Sequence, residues 1–203
     1  MVVASKSELN MPNSPLASPL VIFSHGKETG PWGTKIRRLA DVAQSAGWQV
    51  ISADYAALTG QVDAPAELRL QALLHLLQPQ GKGLPPHSQL ALVGSSMGGW
   101  VSAQAACHVR PAGLFLLAPA LGIASYPSQW PDVDSGVDIE ITHGWADDVI
   151  PAQNSITFAQ RTSARLHVVA DDHRLSQSLD ALCASFATFL LRINAPGAAD
   201  EPN

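Results

Sequence analysis

Ser96 stands in the run Gly94-Ser95-Ser96-Met97-Gly98, which follows the apolar residues Leu90-Ala91-Leu92-Val93 and precedes a helix-compatible run from Trp100 to Cys107. A serine hydroxyl attacks a carbonyl only if its turn presents it and a nearby base takes its proton. The pattern glycine, any residue, serine, any residue, glycine between a strand and a helix meets the first need. The chain turns so sharply at the serine that its backbone neighbours close on each other, and only residues without a Cβ fit on both sides. The spacing selects Ser96 over Ser95, because Gly94 and Gly98 flank Ser96 two residues away whereas Ser95 has Val93 behind it.

A base and an orienting carboxylate complete such chemistry. Two later segments supply them in the order serine, aspartate, histidine: His143-Gly144-Trp145-Ala146-Asp147-Asp148-Val149-Ile150-Pro151 and Asp171-Asp172-His173-Arg174-Leu175. Each follows a predicted strand, ending at Thr142 and near Ala170. Ligands of open α/β sheets sit beyond the carboxyl ends of the strands, so these segments and the Ser96 turn are expected on one rim.

The elements that would hold them alternate. Strands are read at Val21–Phe23, Gln49–Ser52, Leu90–Val93, Gly113–Leu117, Val137–Thr142 and Arg165–Ala170. The mixed Val137–Thr142 strand, with Asp138 and Glu140, is placed nearer the sheet edge. Helices are read at Gly33–Ala46, Pro65–Leu77, Gly99–Val109, Ala152–Arg161 and Leu175–Arg192. This alternation predicts an α/β fold, a mostly parallel twisted sheet of about six strands with helices on both faces. Residues 19–194 are expected to form a single domain, with flexible tails at 1–18 and 195–203, which are polar and Pro/Ala-rich.

Four motifs in order resemble the alpha/beta hydrolase superfamily, in particular its small, capless serine esterases: the turn at Ser96 (a nucleophile elbow in that family), His-Gly-x-x-Asp-x-x-Ile-Pro from His143, Asp172-His173 before the last helix, and His25-Gly26 after the first strand. The resemblance covers residues 20–192. It implies a catalytic triad of Ser96 as nucleophile, Asp147 as acid and His173 as base. Asp147 takes precedence over Asp148 because it stands four residues before Pro151, as the family's acid does. The resemblance also implies an oxyanion hole made by the backbone N–H groups of Met97, at a helix N-terminus that favours negative charge, and Lys27. The implied activity is cleavage of a carboxylic ester or thioester of a small substrate through an acyl-enzyme. An amide or peptide bond is the alternative, and a binding protein that keeps the fold is the further one.

Other readings are plainer. His25 and His143, each followed by Gly, are expected to hydrogen-bond neighbouring loops, and Asp171 and Asp172 to order theirs. Cys107 and Cys183 lack ligand-like spacing and read as small buried hydrophobes. No metal and no organic cofactor is expected. His25, Tyr126, Trp130 and Trp145 are candidates for the pocket wall, with the long Pro119–Gly136 segment overhanging the nucleophile. With no room for a large cap, the pocket is expected to be open and suited to short acyl groups. The chain has 203 residues and a formal net charge of -5, with no basic run, which argues against nucleic acid or an anionic membrane as partner. No stretch has transmembrane length and no signal-peptide core is evident, so a cytoplasmic address is the expectation.

Overall fold

The computed structural model describes residues 17–78 and 84–195. The expected tails therefore lie almost wholly outside the described residues. The chain runs β1 (Leu20–Ser24), α1 (Thr34–Ser45), β2 (Gln49–Ser52), α2 (Tyr55–Thr59), α3 (Ala66–Leu77), β3 (Leu90–Ser95), α4 (Met97–Val109), β4 (Gly113–Leu117), β5 (Asp138–Gly144), α5 (Ala152–Thr162), β6 (Arg165–Val169) and α6 (Leu179–Ile193). The six strands form one sheet in the order β2-β1-β3-β4-β5-β6, and every pairing is parallel.

Strand periodicity divides the apolar residues between two cores. Leu20, Ile22, Leu92, Leu114, Leu116, Ile139 and Ile141 pack with α3, α4 and α5 residues such as Leu73, Trp100 and Phe158. Val21, Phe23, Val93, Phe115 and Leu117 face α1 and α6, against Leu39, Phe186 and Phe189. Because β1 and β4 are covered on both faces, they read as continuous apolar runs and all their residues are buried. Cys107 and Cys183, expected as buried, are each only half-buried.

Two helix starts and one additional helix depart most from expectation. The helix after the Ser96 turn begins at Met97 rather than Gly99, so Ser96 abuts it directly. The last helix begins at Leu179 rather than Leu175. Leu175 has φ of 55°, a left-handed conformation that a helix does not accept, and Asp171 takes the Ser178 N–H at 2.8 Å, which gathers the segment into a turn. The short helix α2 was not expected; Asp54 caps it by accepting the Ala57 N–H at 3.1 Å.

Strand β5 lies one place in from the edge, and β6 is the outer strand. The Asp138 and Glu140 side chains that suggested exposure are on the α6 side of the sheet, where cations meet them. Arg192 donates to Asp138 from Nε at 2.8 Å and to Glu140 from Nη2 at 2.6 Å. Arg165 donates to Asp138 at 2.9 Å, and Ser185 donates to Glu140. Burial would raise the Asp138 pKa, but the bonds to Arg192 and Arg165 hold it below the usual carboxylate value. Glu140 is buried, so removing its main cation should be costly. Arg192→Leu is expected to lower the unfolding free energy by about 3 kcal/mol in urea denaturation. A loss below about 1 kcal/mol would mean that Ser185 and His167, whose Nε2 lies 3.3 Å from Glu140, suffice to satisfy the carboxylate.

Candidate active site

Ser96 follows β3 directly and immediately precedes α4, with φ 55° and ψ -121°. For a residue with a Cβ this backbone region costs about 1–3 kcal/mol and persists only where its surroundings over-determine it. Here they do. The Ser96 N–H donates to Leu117 O at 3.0 Å, and its carbonyl accepts from the N–H groups of Gly99 and Ala120, both at 2.9 Å. The flanking glycines are required by close approach: a Cβ on Gly94 would overlap the Gly98–Gly99 backbone, and one on Gly98 would overlap the carbonyls of Ser24 and His25. The elbow is therefore wedged against the end of β1. Ser95 lies within β3 and is buried, while Ser96 is partly exposed.

Three side chains from three strand ends meet there. The Ser96 hydroxyl lies 3.0 Å from His173 Nε2, and His173 Nδ1 lies 2.7 Å from Asp147 Oδ2. A carboxylate accepts only, so Nδ1 carries the proton and Nε2 is left to accept from the hydroxyl. The Asp147 side chain is fully buried and that of His173 is 19% exposed. Burial pushes the Asp147 pKa up, but the Ile150 N–H, His173 and the Val149 N–H outweigh it, and the net shift is downward. Asp147 Oδ1 accepts from the Val149 and Ile150 N–H groups at 2.9 and 2.8 Å. The run up to Pro151 is thus a turn folded around its own carboxylate. Asp148, one residue on, points outward and is exposed.

His143 hydrogen-bonds the neighbouring loop as expected, at Ile150 O, and also bonds Asp147, which the sequence reading did not foresee. Its Nε2 is 2.9 Å from Asp147 Oδ2 and 2.9 Å from Ile150 O, and its Nδ1 is 2.7 Å from Ser155 Oγ. Two acceptors at Nε2 place the proton there, and Nδ1 accepts from the serine hydroxyl. Burial holds the pKa of His143 below its usual value, although Ile150 O and Asp147 pull it upward, so the ring is neutral. A histidine four residues before the acid, in a turn too tight for a helix, was the available signal. Lys35 on α1 also escaped notice. Burial brings its pKa down to about 8, while the charges of Asp147, Asp172 and Asp171 hold it up. Asp171 accepts the N–H groups of Asp172 and Ser178, and Asp172 accepts that of Arg174, all at 2.8 Å. These two carboxylates organise the turn that carries His173.

The loop after β1 passes beside the nucleophile. A Cβ on Gly26 would lie 3.3 Å from Ser96 Cβ and 3.8 Å from Ser96 Oγ. The residue has no left-handed φ, so its glycine reflects the space needed above the hydroxyl rather than a turn. His25 is buried, with Nδ1 2.7 Å from Gly26 O and its ring 5.3 Å from that of Tyr55. Lys27 is exposed. The Met97 N–H opens α4, where a helix leaves its N–H groups without intrahelical partners.

The other pocket candidates are dispersed. Tyr126 meets Trp100 edge-on at 4.8 Å, Trp130 covers Gly122 with the Arg161 guanidinium 6.0 Å from its ring, and Trp145 is 71% exposed. The 119–136 loop is tied down on both sides. Trp100 Nε1 donates to Ser128 O at 2.6 Å, and Asn154 donates to Leu121 O at 2.7 Å. These bonds anchor the loop to α4 and α5. Among the described residues, no group of three or more His, Cys, Asp or Glu is arranged to hold a metal ion, and no helix is long and apolar enough to cross a membrane.

No protein-family model matches the chain, and no curated protein matches it. Solved structures do. A protein from Xanthomonas campestris pv. campestris assigned to the hydrolases of the alpha/beta superfamily is 33% identical, over 86% of this chain and 99% of that one, with a TM-score of 0.75. Alpha/beta hydrolase domain-containing protein 10 from mouse is 19% identical, over 94% and 100% of the two chains, with a TM-score of 0.70. Dienelactone hydrolase from Anabaena variabilis is 18% identical, over 87% of each chain, with a TM-score of 0.68. The last two matches show the fold. The first, with its higher identity over nearly all of its own length, shows the family: the chain belongs to the alpha/beta hydrolase superfamily and is a hydrolase.

Proposed function

We propose that this hydrolase cleaves a carboxylic ester or thioester of a small substrate through an acyl-enzyme on Ser96. The observation that carries the reading is the continuous relay from Ser96 Oγ through both nitrogens of His173 to Asp147, with links of 3.0 and 2.7 Å. Ser96 Oγ attacks the carbonyl carbon as its proton passes to His173 Nε2. The carbonyl π pair moves onto oxygen, where the Lys27 and Met97 N–H groups receive it. As the tetrahedral intermediate collapses, the bond to the leaving group breaks and His173 returns the proton to the departing alkoxide or thiolate. Water then attacks the acyl carbon, giving its proton to His173. Ser96 Oγ leaves with that proton, and the free acid is released.

Asp147 stays ionised throughout and compensates the imidazolium that forms at each step. His143 shares Oδ2 of that carboxylate with His173, so it holds the acid in the plane the base requires. The 119–136 loop, anchored at Ser128 and Leu121, supports a preference for short acyl groups.

Ser96→Ala is expected to abolish labelling by a fluorophosphonate probe and to lower ester turnover about 10⁴-fold or more, with Asp147→Asn close to 10⁴-fold. Labelling that survives in Ser96→Ala would move the nucleophile elsewhere. Across p-nitrophenyl esters, kcat/KM should peak at short acyl chains; a steady rise to long fatty chains would refute the open pocket, and a peptide cleaved faster than every ester or thioester would refute the bond type. The third expectation concerns pH. An unfolded chain protonates His143 near 6.5, whereas the folded one does so only at lower pH. The unfolded state therefore binds more protons just below 6.5, and stability is lost as pH falls through that range. Thermal melts from pH 8 to 5 should show this decline, and His143→Gln should flatten it; an unchanged slope would mean the ring titrates normally.

A further inference from the structure

Arg69, on α3, is fully buried. Its guanidinium meets backbone carbonyls: Nε donates to Ala64 O at 2.9 Å, and Nη1 to Gly26 O at 3.2 Å and His25 O at 3.4 Å. It lies over the Tyr55 ring at 5.2 Å, and Nη2 has no hydrogen-bond partner among the described residues. A cation so enclosed, compensated by carbonyl dipoles, is a poor device for stability; an apolar residue of similar volume often does as well or better. What the guanidinium holds is more telling. The Gly26 carbonyl receives a second donor, His25 Nδ1, at 2.7 Å. In a trans peptide the C=O and N–H point in opposite directions within one plane, so anchoring Gly26 O from one side dictates where the Lys27 N–H points on the other. The same glycine lies directly beside the Ser96 side chain.

We propose that Arg69 is a positioning residue for hydrolysis: with the His25 ring it anchors and polarises the Gly26–Lys27 peptide, so that the Lys27 N–H faces the oxygen that becomes negative during attack by Ser96. The proposal rests on the acyl-enzyme reading above. The guanidinium charge, the peptide dipole and the oxyanion stand in series. Charge on the carbonyl side strengthens the N–H as a donor, and the effect is larger where water is excluded. The arrangement acts on the transition state, because a ground-state carbonyl makes weaker demands on the donor.

The test compares native protein, Arg69→Met and Arg69→Lys in steady-state hydrolysis of a short-chain ester, inhibition by an alkyl boronic acid, and thermal melting. The boronate forms a tetrahedral adduct on the serine and so reports the oxyanion site. In Arg69→Met, kcat should fall about 10–100-fold, somewhat less than for outright loss of an oxyanion donor, with KM within about twofold of native. The boronate Ki should rise in step with the loss of kcat/KM while the melting temperature holds, and Arg69→Lys should recover part of the loss. A native kcat, an effect on KM alone, or an unchanged boronate Ki in Arg69→Met would overturn the proposal. Should Arg69→Met not fold, His25→Phe removes the other donor to Gly26 O while keeping a ring against Tyr55. It must show the same paired loss in kcat and boronate affinity, and native values there would overturn the proposal instead. Native protein labelled at Ser96 by a fluorophosphonate, with Arg69→Met fully active, sinks this proposal alone. Absence of labelling in native protein sinks the acyl-enzyme reading with it.

Discussion

The buried carboxylate of Asp147 is the interaction on which the rest of the site depends. An ionised group out of contact with water is unstable unless donors converge on it. Four do: the Val149 and Ile150 N–H groups on Oδ1, and the rings of His143 and His173 on Oδ2. With every lone-pair direction engaged, the carboxylate neither rotates nor protonates readily, and the His173 ring inherits that rigidity. His143 is itself held by Ser155 on α5, so the orientation of the reactive imidazole is traceable to a helix on the far side of the loop. That arrangement explains why a neutral histidine occupies the end of β5, where an apolar residue would otherwise fill the core.

Ser96 is held by a different set of constraints. Its strained backbone is clamped by main-chain bonds to β4 and to Ala120 at the start of the 119–136 loop, and by steric contact with the end of β1. Side-chain hydrogen bonds thus set His173 and Asp147, whereas main-chain hydrogen bonds and excluded volume set Ser96. The two meet because all six strands are parallel and end on one side.

Much of this was legible in the linear order of residues. Gly94 and Gly98 announce a close backbone approach, the apolar runs of β1 and β4 announce strands covered on both faces, and Pro151 marks the start of α5. What escaped depends on contacts that spacing does not encode. Asp138 and Glu140 look like solvent-facing residues until Arg192, more than fifty positions later, is brought against them. The start of α6 was read too early because Leu175 fits an apolar helical period, yet its left-handed backbone serves the turn that carries His173. His143 looked like a loop support, and it is one, but the hydrogen bond to Asp147 required knowing how the turn closes. Arg69 gave no signal at all, since a helical arginine is ordinarily solvated.

The hydroxyl of Ser96 and the ring of His173 are separated by 77 positions along the chain, and the ring hangs on the turn between β6 and α6, in the last part of the fold to be synthesised. A chain stopped before β6 already carries Ser96 and its turn but lacks His173. The Ser96–His173 contact can therefore form only once the outermost strand has joined the sheet.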